Sequence, residues 1–476
     1  MARRTKILAT IGPASDSPES IRALIAAGLD MARLNLSHGN VEHHVEVLER
    51  IRSAAKAAGR PVGVLVDLPG PKVRSGVFPD GGVYLAEGSV LQFVAGLNGA
   101  TSDVITVDEP SIADLHPGDS VILGDGAITC EVLGSTENGV TAKVLTGGRV
   151  QGRPGVHIPS ERLRLTAPTD EDLRLLEIML RHDVDFVAVS FVRGPHDLAR
   201  VREVVGTNGP MIVAKIETAP AVVDIDAILE ATDAVMVARG DLGIECPIEA
   251  VPHIQKQIIR SAVAKGVPVI TATQMLESMI ISPSPTRAEV SDVANAVLDG
   301  TDAVMLSAET AIGADPALVV ATMARIAERA ELEADYRQWG SRLGRLQRAD
   351  SPGGVVTITG AMTHAAWQAA QDVGASAFVC CTRSGLTARA LARFRPTATI
   401  IGLSPNERTA RQLSLSWGVL PLTVDTYTNT DELVWFAVEA SAKAGIVKHG
   451  DVIAVLAGAP DSTEPATDVL RLVRVR

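Results

Sequence analysis

The chain is poor in aromatic residues, which make up 3% of its 476 residues, so its cores must be built from Ala, Val, Leu and Ile. No run of about 18 apolar residues occurs, and we expect no membrane-spanning helix. Basic residues are not in excess, and the formal net charge of -12 argues against a nucleic-acid-binding surface. The cysteines lack metal-site spacing and the N-terminus lacks an apolar segment of signal-peptide length, so we expect a cytoplasmic protein with reduced thiols.

Eight short apolar runs recur along the first two thirds of a chain that is long enough for two or three domains. They are Lys6–Gly12, Met31–Ser37, Val62–Leu68, Asp185–Val192, Met211–Glu217, Ala234–Asp241, Val267–Gln274 and Ala303–Glu309. Most are continuous rather than alternating, which is typical of strands buried on both faces of a parallel sheet. Helical patterns lie between most of them. The repeated alternation predicts a (β/α)8 barrel, and eight repeats favour it over the alternative, an open doubly wound sheet.

A long interval after the third run has a different pattern. Short strands are predicted there at Val83–Tyr84, Val104–Val107, Val121–Leu123, Ile128–Val132 and Val140–Leu145, with hairpin signals at 124–126 and 138–139. We interpret residues 70–166 as an all-β domain inserted into a barrel of residues 1–69 and 167–335. Entered through Pro69-Gly70-Pro71, it would lie over the C-terminal face of the barrel and act as a lid.

The last part of the chain predicts a polar connector, residues 336–353, and a C-terminal α/β domain, residues 354–476. Its predicted strands are Ala377–Thr382, Thr399–Leu403, Val419–Val424, Asp451–Ala457 and Val469–Val475. The loop Thr382–Thr387 precedes a predicted helix and offers backbone N–H groups and three hydroxyls to an anion. An ordinary capped loop is the alternative, and the residues alone favour it.

Polar residues follow the predicted barrel strands, where enzymes with this fold carry their functional groups. They are Arg33, Asn35, Ser37, His38, Asp67, Lys215, Glu217, Arg239, Gly240, Asp241, Thr271, Thr273, Gln274, Ser307 and Glu309, with Lys72 and Arg74 just beyond the third strand. Glu217 and Asp241 are hard oxygen ligands that suit Mg²⁺ or Mn²⁺. Arg33, Arg74 and Lys215 are cations that suit a phosphate. The Gly240 N–H and the Thr273 hydroxyl could receive a substrate carboxylate.

Each of these residues alone has an ordinary structural explanation. Lys215 and Glu217, two residues apart on a strand, form a pattern that is most often a solvated ion pair. His38 fits a hydrogen bond within the turn after the second strand. The coincidence of so many polar residues at one end of one barrel favours a functional site.

Several segments resemble the signature blocks of pyruvate kinases. They are residues 5–15 (TKILATIGPAS), 32–39 (ARLNLSHG), 214–217 (AKIE), 236–243 (MVARGDLG), 272–279 (ATQMLESM) and 285–296 (PTRAEVSDVANA). The resemblance extends in order over nearly the whole chain. It implies a barrel, a lid domain inserted after strand three and a regulatory C-terminal domain. It also implies phosphoryl transfer from phosphoenolpyruvate to ADP, giving pyruvate and ATP.

The same resemblance implies roles for individual residues. Glu217 and Asp241 would bind Mg²⁺, Arg33 and Arg74 would hold the phosphate, and Lys215 would stabilise the transferring phosphoryl group. Thr273 and Gly240 would hold the enolate. Asn35, Ser37 and His38, with Arg74, would face the nucleotide. Such families usually form homotetramers.

The segment 67–74 departs from the family pattern. It reads DLPGPKVR where DTKGPEIR is usual, so Lys72 replaces a glutamate and Leu68 a threonine. Typical members bind K⁺ through the positions of Asn35, Ser37, Asp67 and Leu68. We hypothesise that the Lys72 ammonium replaces this cation, so that K⁺ is not required. The alternative is that Lys72 points to solvent and K⁺ still binds.

Two further segments bear on ligands. Arg153-Pro154 stands where Lys-Lys is common, so Arg153 alone would supply a cation to ADP. Thr382, Arg383, Ser384, Gly385 and Thr387 resemble the family's sugar-phosphate loop, whereas Asp461 and Glu464 in the loop 458–465 would repel a second phosphate. We therefore predict AMP or a sugar monophosphate as effector rather than fructose 1,6-bisphosphate.

Two rival functions stay open at this point. One is a lyase or aldolase acting on phosphoenolpyruvate or pyruvate in a related barrel. The other is an inactive sugar-phosphate sensor.

Overall fold

The N-terminal part alternates strands and helices as its apolar pattern predicts. In the computed structural model, which describes residues 3–124, 126, 128–164, 166–350, 357–424, 430–458 and 466–476, these elements are β1 (Lys6–Thr10), α1 (Pro18–Ala27), β2 (Met31–Asn35), α2 (Val41–Ala57) and β3 (Gly63–Asp67). Side-chain oxygens of Ser17 and Asn40 cap the two helices. Each strand ends one or two residues before its apolar run does.

An all-β insertion follows β3. Its strands are β4 (Val83–Leu85), β5 (Val90–Ala95), β6 (Val104–Val107), β7 (Ser120–Leu123), β8 (Ile128–Thr136), β9 (Gly139–Thr146), β10 (Gly148–Val150) and β11 (Val156–His157). Six form one sheet in the order β11-β7-β8-β9-β5-β6, and β10 pairs with β4. The sequence did not predict β5, β10 or β11. The hairpin at 138–139 joins β8 to β9, whereas Asp125 of the other hairpin signal lies outside the described residues.

The chain then returns to the barrel. The remaining elements are α3 (Asp170–Leu180), β12 (Phe186–Val189), α4 (Pro195–Val205), β13 (Met211–Ile216), α5 (Ala219–Val223), α6 (Ile225–Ala231), β14 (Ala234–Ala238), α7 (Arg239–Glu245), α8 (Val251–Lys265), β15 (Val269–Ala272), α9 (Arg287–Asp299), β16 (Ala303–Leu306), α10 (Ala308–Ala311) and α11 (Pro316–Glu333). The sequence placed Asp241 and Glu309 in strands, but both lie in short helices that begin where β14 and β16 end.

The eight parallel strands close in the order β1-β16-β15-β14-β13-β12-β3-β2, which confirms the predicted barrel. Side chains that include Leu8, Met31, Leu65, Phe186 and Met236 fill its interior, and a larger apolar layer lies between the strands and the helices. Aliphatic residues dominate both layers, as the low aromatic content required. None of the helices in the described part of the chain combines the length and the hydropathy that crossing a bilayer requires.

The C-terminal part is an α/β domain, as predicted. Its elements are α12 (Tyr336–Asp350), α13 (Ile358–Asp372), β17 (Ala377–Cys381), α14 (Leu386–Ala392), β18 (Thr399–Ser404), α15 (Glu407–Gln412), β19 (Val419–Thr423), α16 (Thr430–Lys443), β20 (Val452–Ala457) and β21 (Val469–Arg474). The sheet order is β19-β18-β17-β20-β21, with only β21 antiparallel to its neighbour. The predicted polar connector is instead the helix α12, whose Leu343 is buried while Gln338, Ser341, Arg342 and Arg345 are exposed.

Charged residues join the C-terminal domain to the N-terminal ends of the barrel strands. Lys6 Nζ donates to the Val419 carbonyl at 2.8 Å, and Arg395 donates to Asp302 Oδ1 at 2.8 Å. Arg411 Nε donates to Asp185 Oδ1 at 2.7 Å. Because Asp185 and Arg395 are at most 1% exposed, these contacts belong to a buried interface. The domain boundaries given above stay predictions, and residue 354 lies outside the described residues.

Candidate active site

A cleft of about 420 Å³ lies between the C-terminal ends of the barrel strands and the inserted domain. The residues that line it include Arg33, Asn35, Ser37, His38, Asp67, Lys72, Arg74, Ser190, Lys215, Asp241 and Glu245. Residues predicted from four separate strand ends therefore meet in one cavity. The inserted domain supplies the opposite wall, as expected for a lid over the barrel.

Asp67 organises the cations on the barrel side of the cleft. Arg33 Nε donates to Asp67 Oδ2 at 2.7 Å, and Lys215 Nζ lies 3.5 Å from Asp67 Oδ1. Burial alone would raise the pKa of Asp67, but Lys215 and Arg33 outweigh it and hold that pKa below its ordinary value. Lys215 Nζ also donates to Ser190 Oγ at 2.7 Å. The lysine is therefore fixed by groups from three neighbouring strand ends.

Lys215 keeps its charge despite burial. Burial alone would lower the pKa of Lys215, but Asp67, Glu217 and Asp241 outweigh it and raise that pKa to about 12. The Lys215 ammonium lies 3.3 Å from Glu217 Oε2. It is therefore a permanent, oriented positive charge at the bottom of the cleft.

Glu217 is fully buried and incompletely bonded. Its Oε1 accepts a hydrogen bond from the Phe191 N–H at 2.7 Å, whereas Oε2 accepts none from the residues that the structure describes. Burial raises the pKa of Glu217 to about 7, with Lys215 opposing this rise and Asp241 adding to it. A divalent cation beside Glu217 and Asp241 would give Oε2, whose neighbour is the Lys215 ammonium at 3.3 Å, a second partner and would relieve the carboxylate repulsion. These two oxygen donors therefore fit a hard metal ion.

The metal site would be an open one. Across the described residues, no three or more His, Cys, Asp or Glu side chains are grouped as a complete metal cage. Mg²⁺ usually keeps only one or two protein carboxylates and takes its other ligands from water and substrate phosphate. Asp241 lines the polar cleft, and Glu217 lies buried two residues beyond Lys215, so this pair agrees with that habit.

Gly240 and Thr273 lie together, but they are hydrogen-bonded to each other. The Gly240 N–H donates to Thr273 Oγ1 at 2.8 Å, and that hydroxyl donates to the Ala272 carbonyl at 2.7 Å. Thr273 and Gln274 have φ values of 68° and 53°, a strained conformation for residues with side chains. Arg239 donates to the Thr273 carbonyl at 2.6 Å and supports the turn. A substrate carboxylate would have to exchange with these internal bonds.

The loop after β2 carries the three residues predicted on the nucleotide side. Asn35 Oδ1 accepts from the Ser37 N–H at 3.2 Å, and Asn35 Nδ2 lies 3.2 Å from His38 Nδ1. Burial lowers the pKa of His38, and the nearby cations Lys72, Arg33 and Arg74 lower it further. The imidazole is therefore neutral at pH 7. His38 lines the cleft, where a nucleotide contact is predicted, and it also contacts Asn35 within its own turn.

Lys72 and Arg74 come from the inserted domain and face the cleft. Within the described part of the chain, no hydrogen bond or ion pair is recorded for the exposed Lys72 ammonium. Its partly desolvated position in the cleft lowers its pKa, and Lys215 and Arg74 add to this, while Asp67 and Asp241 oppose it. The Arg74 backbone N–H donates to Asp108 Oδ1 at 2.7 Å, which anchors the backbone of the segment that enters the inserted domain.

Arg153 is not among the residues that line the cleft. Its guanidinium donates to Asp108 Oδ2 at 2.7 Å and to the Ser75 carbonyl at 3.1 Å. Its carbonyl is within 3.4 Å of the Arg74 guanidinium. It is thus the one predicted nucleotide residue that this structure holds beside the cleft rather than in its wall.

The whole chain resembles known proteins in sequence and in fold. The family model "Pyruvate kinase, barrel domain" matches residues 2–320, and "Pyruvate kinase, alpha/beta domain" matches residues 360–473. The chain belongs to the pyruvate kinase family.

Individual pyruvate kinases agree with this assignment. The chain is 41% identical to a pyruvate kinase of Geobacillus stearothermophilus, over 99% of this chain and 80% of that protein. It is 39% identical to one of Clostridium acetobutylicum, over 99% of both chains. A crystal structure of a pyruvate kinase from Cryptosporidium parvum superposes with a TM-score of 0.92 at 33% identity, covering 100% of this chain and 96% of that one. The predicted family, fold class and enzyme class are confirmed.

The loop that resembles the sugar-phosphate site of pyruvate kinases lies in the C-terminal domain, between β17 and α14. Thr382 Oγ1 accepts from the Gly385 N–H at 2.9 Å, and the buried Thr387 hydroxyl pairs with Thr467 at 2.8 Å. Two of its three hydroxyls therefore already stabilise the loop. Arg383 and Ser384 are exposed and open to a ligand. Residues 459–465, including Asp461 and Glu464, lie outside the described residues.

Sequence reasoning missed three polar residues of the cleft, which are Ser190, Glu245 and His157 of the inserted domain. Ser190 follows β12 and links Lys215 to the Leu68 carbonyl, to which it donates at 2.7 Å. A polar residue near the end of an apolar run was the available signal. Glu245 ends α7 and holds a serine of the inserted domain. No sequence pattern marks that contact, because its partner is 85 residues away.

Proposed function

We propose that the chain transfers the phosphoryl group of phosphoenolpyruvate to ADP, giving pyruvate and ATP as the last step of glycolysis in the cytoplasm. The observation that carries this proposal is the Lys215 ammonium, held at the bottom of the cleft between Asp67, Glu217 and Ser190. A fixed cation of this kind can stabilise negative charge on a phosphoryl group in transit. Membership of the pyruvate kinase family supplies the substrates.

Mg²⁺ or Mn²⁺ would bind at Glu217 and Asp241. The Oε2 atom of Glu217, buried and without a recorded hydrogen bond, supports this position. When bound, the metal would offset the negative charge of the phosphate and of the enolate oxygen left after transfer. Pyruvate kinases in general use a divalent metal.

The chain's own residues would divide the remaining tasks. Arg33 and Arg74 would hold the phosphate, with Arg33 oriented by its 2.7 Å bond to Asp67. Lys215 would follow the phosphoryl group. Thr273 and Gly240 would face the enolate, which takes up a proton near Thr273 to become pyruvate.

The nucleotide would lie toward the inserted domain. Asn35, Ser37 and His38 would contact it from the barrel, and Arg74 from the lid. Arg153 would reach it by leaving Asp108, an exchange that an exposed arginine makes at little cost. Closure of the lid over ADP would exclude water from the transfer.

The Lys72 ammonium would take the place of K⁺. It lines the same cleft as Asn35, Ser37 and Asp67, and both Asp67 and Asp241 act on its charge. Both oxygens of Asp67 already face fixed cations, Arg33 and Lys215, and the Leu68 carbonyl already accepts from Ser190. Two of the four positions that would coordinate K⁺ are therefore committed elsewhere. The enzyme would then not need K⁺.

Pyruvate release from phosphoenolpyruvate and Mg²⁺ tests these proposals, with and without ADP, in buffer free of K⁺ and NH₄⁺ and again with K⁺. Release that depends on ADP in both buffers is the expected result. Release that requires K⁺ would keep the kinase and discard the role of Lys72. Release without ADP would point to a lyase, and no release in any condition to a sensor.

Two variants sharpen the test. Lys215→Met should abolish ADP-dependent release while the protein remains folded, because the ammonium is lost and its hydrophobic stem is kept. Lys72→Glu restores the usual family residue and should make activity depend on K⁺. A Lys72→Glu enzyme that stays fully active without K⁺ would show that Lys72 does not replace the cation.

Regulation and assembly complete the proposal. A phosphorylated effector, AMP or a sugar monophosphate, would bind at Thr382, Arg383, Ser384, Gly385 and Thr387, and the enzyme would be a homotetramer. Activation by AMP or glucose 6-phosphate that is lost in Arg383→Ala is expected. Strong activation by micromolar fructose 1,6-bisphosphate would contradict the choice of effector. Light scattering after size exclusion would measure the assembly.

A further inference from the structure

Glu245 joins three parts of the enzyme through one carboxylate. It is the last residue of α7, the helix whose first turn carries Gly240 and Asp241. Its Oε1 accepts from the Ser160 N–H at 3.1 Å, and its Oε2 accepts from the Ser160 hydroxyl at 2.7 Å. Oε2 also accepts from the Ala219 N–H at 3.4 Å. Ala219 begins α5, two residues after Glu217.

Ser160 belongs to the segment through which the inserted domain returns to the barrel. It is 2% exposed and starts a short 3-10 turn, residues Ser160–Arg162. Both its backbone N–H and its hydroxyl are directed at Glu245. The returning arm of the lid is therefore fastened to α7 by two hydrogen bonds to a charged acceptor, which are stronger than those to a neutral one.

The entering arm of the lid is fastened differently. The Gly70 N–H donates to Asp172 Oδ1 at 3.1 Å, and Asp172 also completes the capping box at the start of α3. In this way a carboxylate of the barrel holds each arm. Only Glu245 stands on a helix that carries a predicted metal ligand, because α3 supplies no residue to the cleft.

The geometry of α7 makes Glu245 a direct mechanical link. Asp241 and Glu245 are four residues apart, so their side chains lie on the same face of the helix. Both line the cleft. A shift of the returning arm would therefore act on α7 at one end and alter the position of Asp241 at the other.

We propose that Glu245 is a positioning residue that couples the placement of the lid to the metal site. It would hold the Asp241 end of α7 and the segment after Glu217 in register while it is bonded to Ser160. This inference rests on the proposed function, since it takes Glu217 and Asp241 as the metal ligands. Because coupling is reciprocal, metal binding and closure of the lid over ADP would support each other.

Ser160→Ala is the decisive variant because it changes no charge. It removes the hydroxyl bond to Glu245 and keeps the backbone one. Binding of Mn²⁺ to the free full-length enzyme, measured by calorimetry or electron paramagnetic resonance, gives a readout that does not need catalysis. We expect Mn²⁺ affinity to fall about threefold, with a larger rise in the KM for ADP than fall in kcat.

Glu245→Gln should weaken Mn²⁺ binding further, on the order of tenfold, as removal of an outer hydrogen-bond partner of a metal ligand usually does. Part of that loss would come from the missing charge. The double variant should bind Mn²⁺ no more weakly than Glu245→Gln alone, because both changes remove the same link. Ser75→Ala is the matched control, since among the residues that the structure describes the buried Ser75 hydroxyl bonds only to the neighbouring Gly76 carbonyl.

The outcomes separate the inference from the proposed function. If Ser160→Ala and Ser75→Ala both bind Mn²⁺ like the parent while Asp241→Asn loses it, the metal site stands and the role of Glu245 is wrong. If Asp241→Asn keeps parental affinity, the placement of the metal fails and this inference fails with it. If Glu245→Gln does not fold, the Mn²⁺ affinity of Ser160→Ala compared with that of Ser75→Ala still tests the role of Glu245.

Discussion

Ser190 offers a direct test of how Lys215 is held. Ser190 is 2% exposed. Its hydroxyl donates to the Leu68 carbonyl at 2.7 Å and accepts from Lys215 Nζ at 2.7 Å. With its single proton committed to Leu68, its lone pair is directed at the ammonium. Ser190→Ala removes this contact and leaves no group of similar polarity in its place.

The expected cost follows from what remains. Lys215 keeps its neighbours Asp67 at 3.5 Å and Glu217 at 3.3 Å, so its charge persists but its direction is less restricted. A hydrogen bond to a charged group contributes about 1.5–3 kcal/mol, and each 1.36 kcal/mol is about tenfold in rate. We therefore expect kcat/KM for phosphoenolpyruvate to fall about 10- to 100-fold, mostly in kcat.

The assay is steady-state pyruvate formation with saturating ADP and Mg²⁺, beside a thermal melt of each variant. Ser190→Thr keeps the hydroxyl and is the matched control, expected to retain more activity than Ser190→Ala. A folded Ser190→Ala enzyme within twofold of the parent would refute the reasoning. Lys215 would then be positioned by its two carboxylates alone.

Three further predictions concern stability. Arg395→Met leaves the buried Asp302 without its cation and should lower the free energy of unfolding by about 3–5 kcal/mol in urea titrations; adding Asp302→Asn should recover part of the loss, and equal stability of the single variant and the parent would contradict the pairing. Gly70→Ala places a methyl group 2.8 Å from the Ser190 Cβ at a φ of 69°, and should cost about 2–4 kcal/mol or raise the KM for ADP by displacing the lid; an unchanged melt and KM would count against this. Burial would raise the pKa of Asp30, but Arg3 and Lys6 outweigh it and lower that pKa. The Asp30 carboxylate therefore adds to the free energy of unfolding above its unfolded-state pKa of about 3.9, and this stabilisation is lost as the pH falls through the lower pKa of the folded state. Asp30→Asn should therefore destabilise the protein in urea at pH 7 and make less difference at pH 3, and a difference independent of pH would be inconsistent with this sign.

The barrel could be predicted from sequence because its strands are buried on both faces and therefore read as continuous apolar runs. Strand ends were less certain. The run Ala234–Asp241 gives no sign that β14 stops at Ala238 and that a helix begins at once. In the insertion, β10 and β11 have only three and two residues, too few to show any period. α12 was taken for a connector because its composition is polar and rich in Arg and Gly.

The candidate site was predictable in its members but not in its bonds. Charges at strand ends are visible in a sequence because topology brings the ends of parallel strands together. The bonds of Ser190 and Glu245 join residues 122 and 85 positions apart, and depend on side-chain directions that no local pattern encodes. The mutual bond of Gly240 and Thr273 arises from a strained turn, which sequence reasoning had no means to detect.

The buried charges beneath the barrel bear on how the protein can be divided. Asp302 has its cation, Arg395, in the C-terminal domain, and Asp185 has Arg411 there beside Arg52 of the barrel, so a barrel expressed without that domain would carry Asp302 without its counterpart and Asp185 with one of its two cations. Two family models match this chain, yet the buried interface between their domains leads us to expect that they unfold as one cooperative unit. Heat or denaturant should unfold the barrel and the C-terminal domain in a single transition. A gene truncated at the boundary between these domains should yield an insoluble fragment rather than a smaller enzyme.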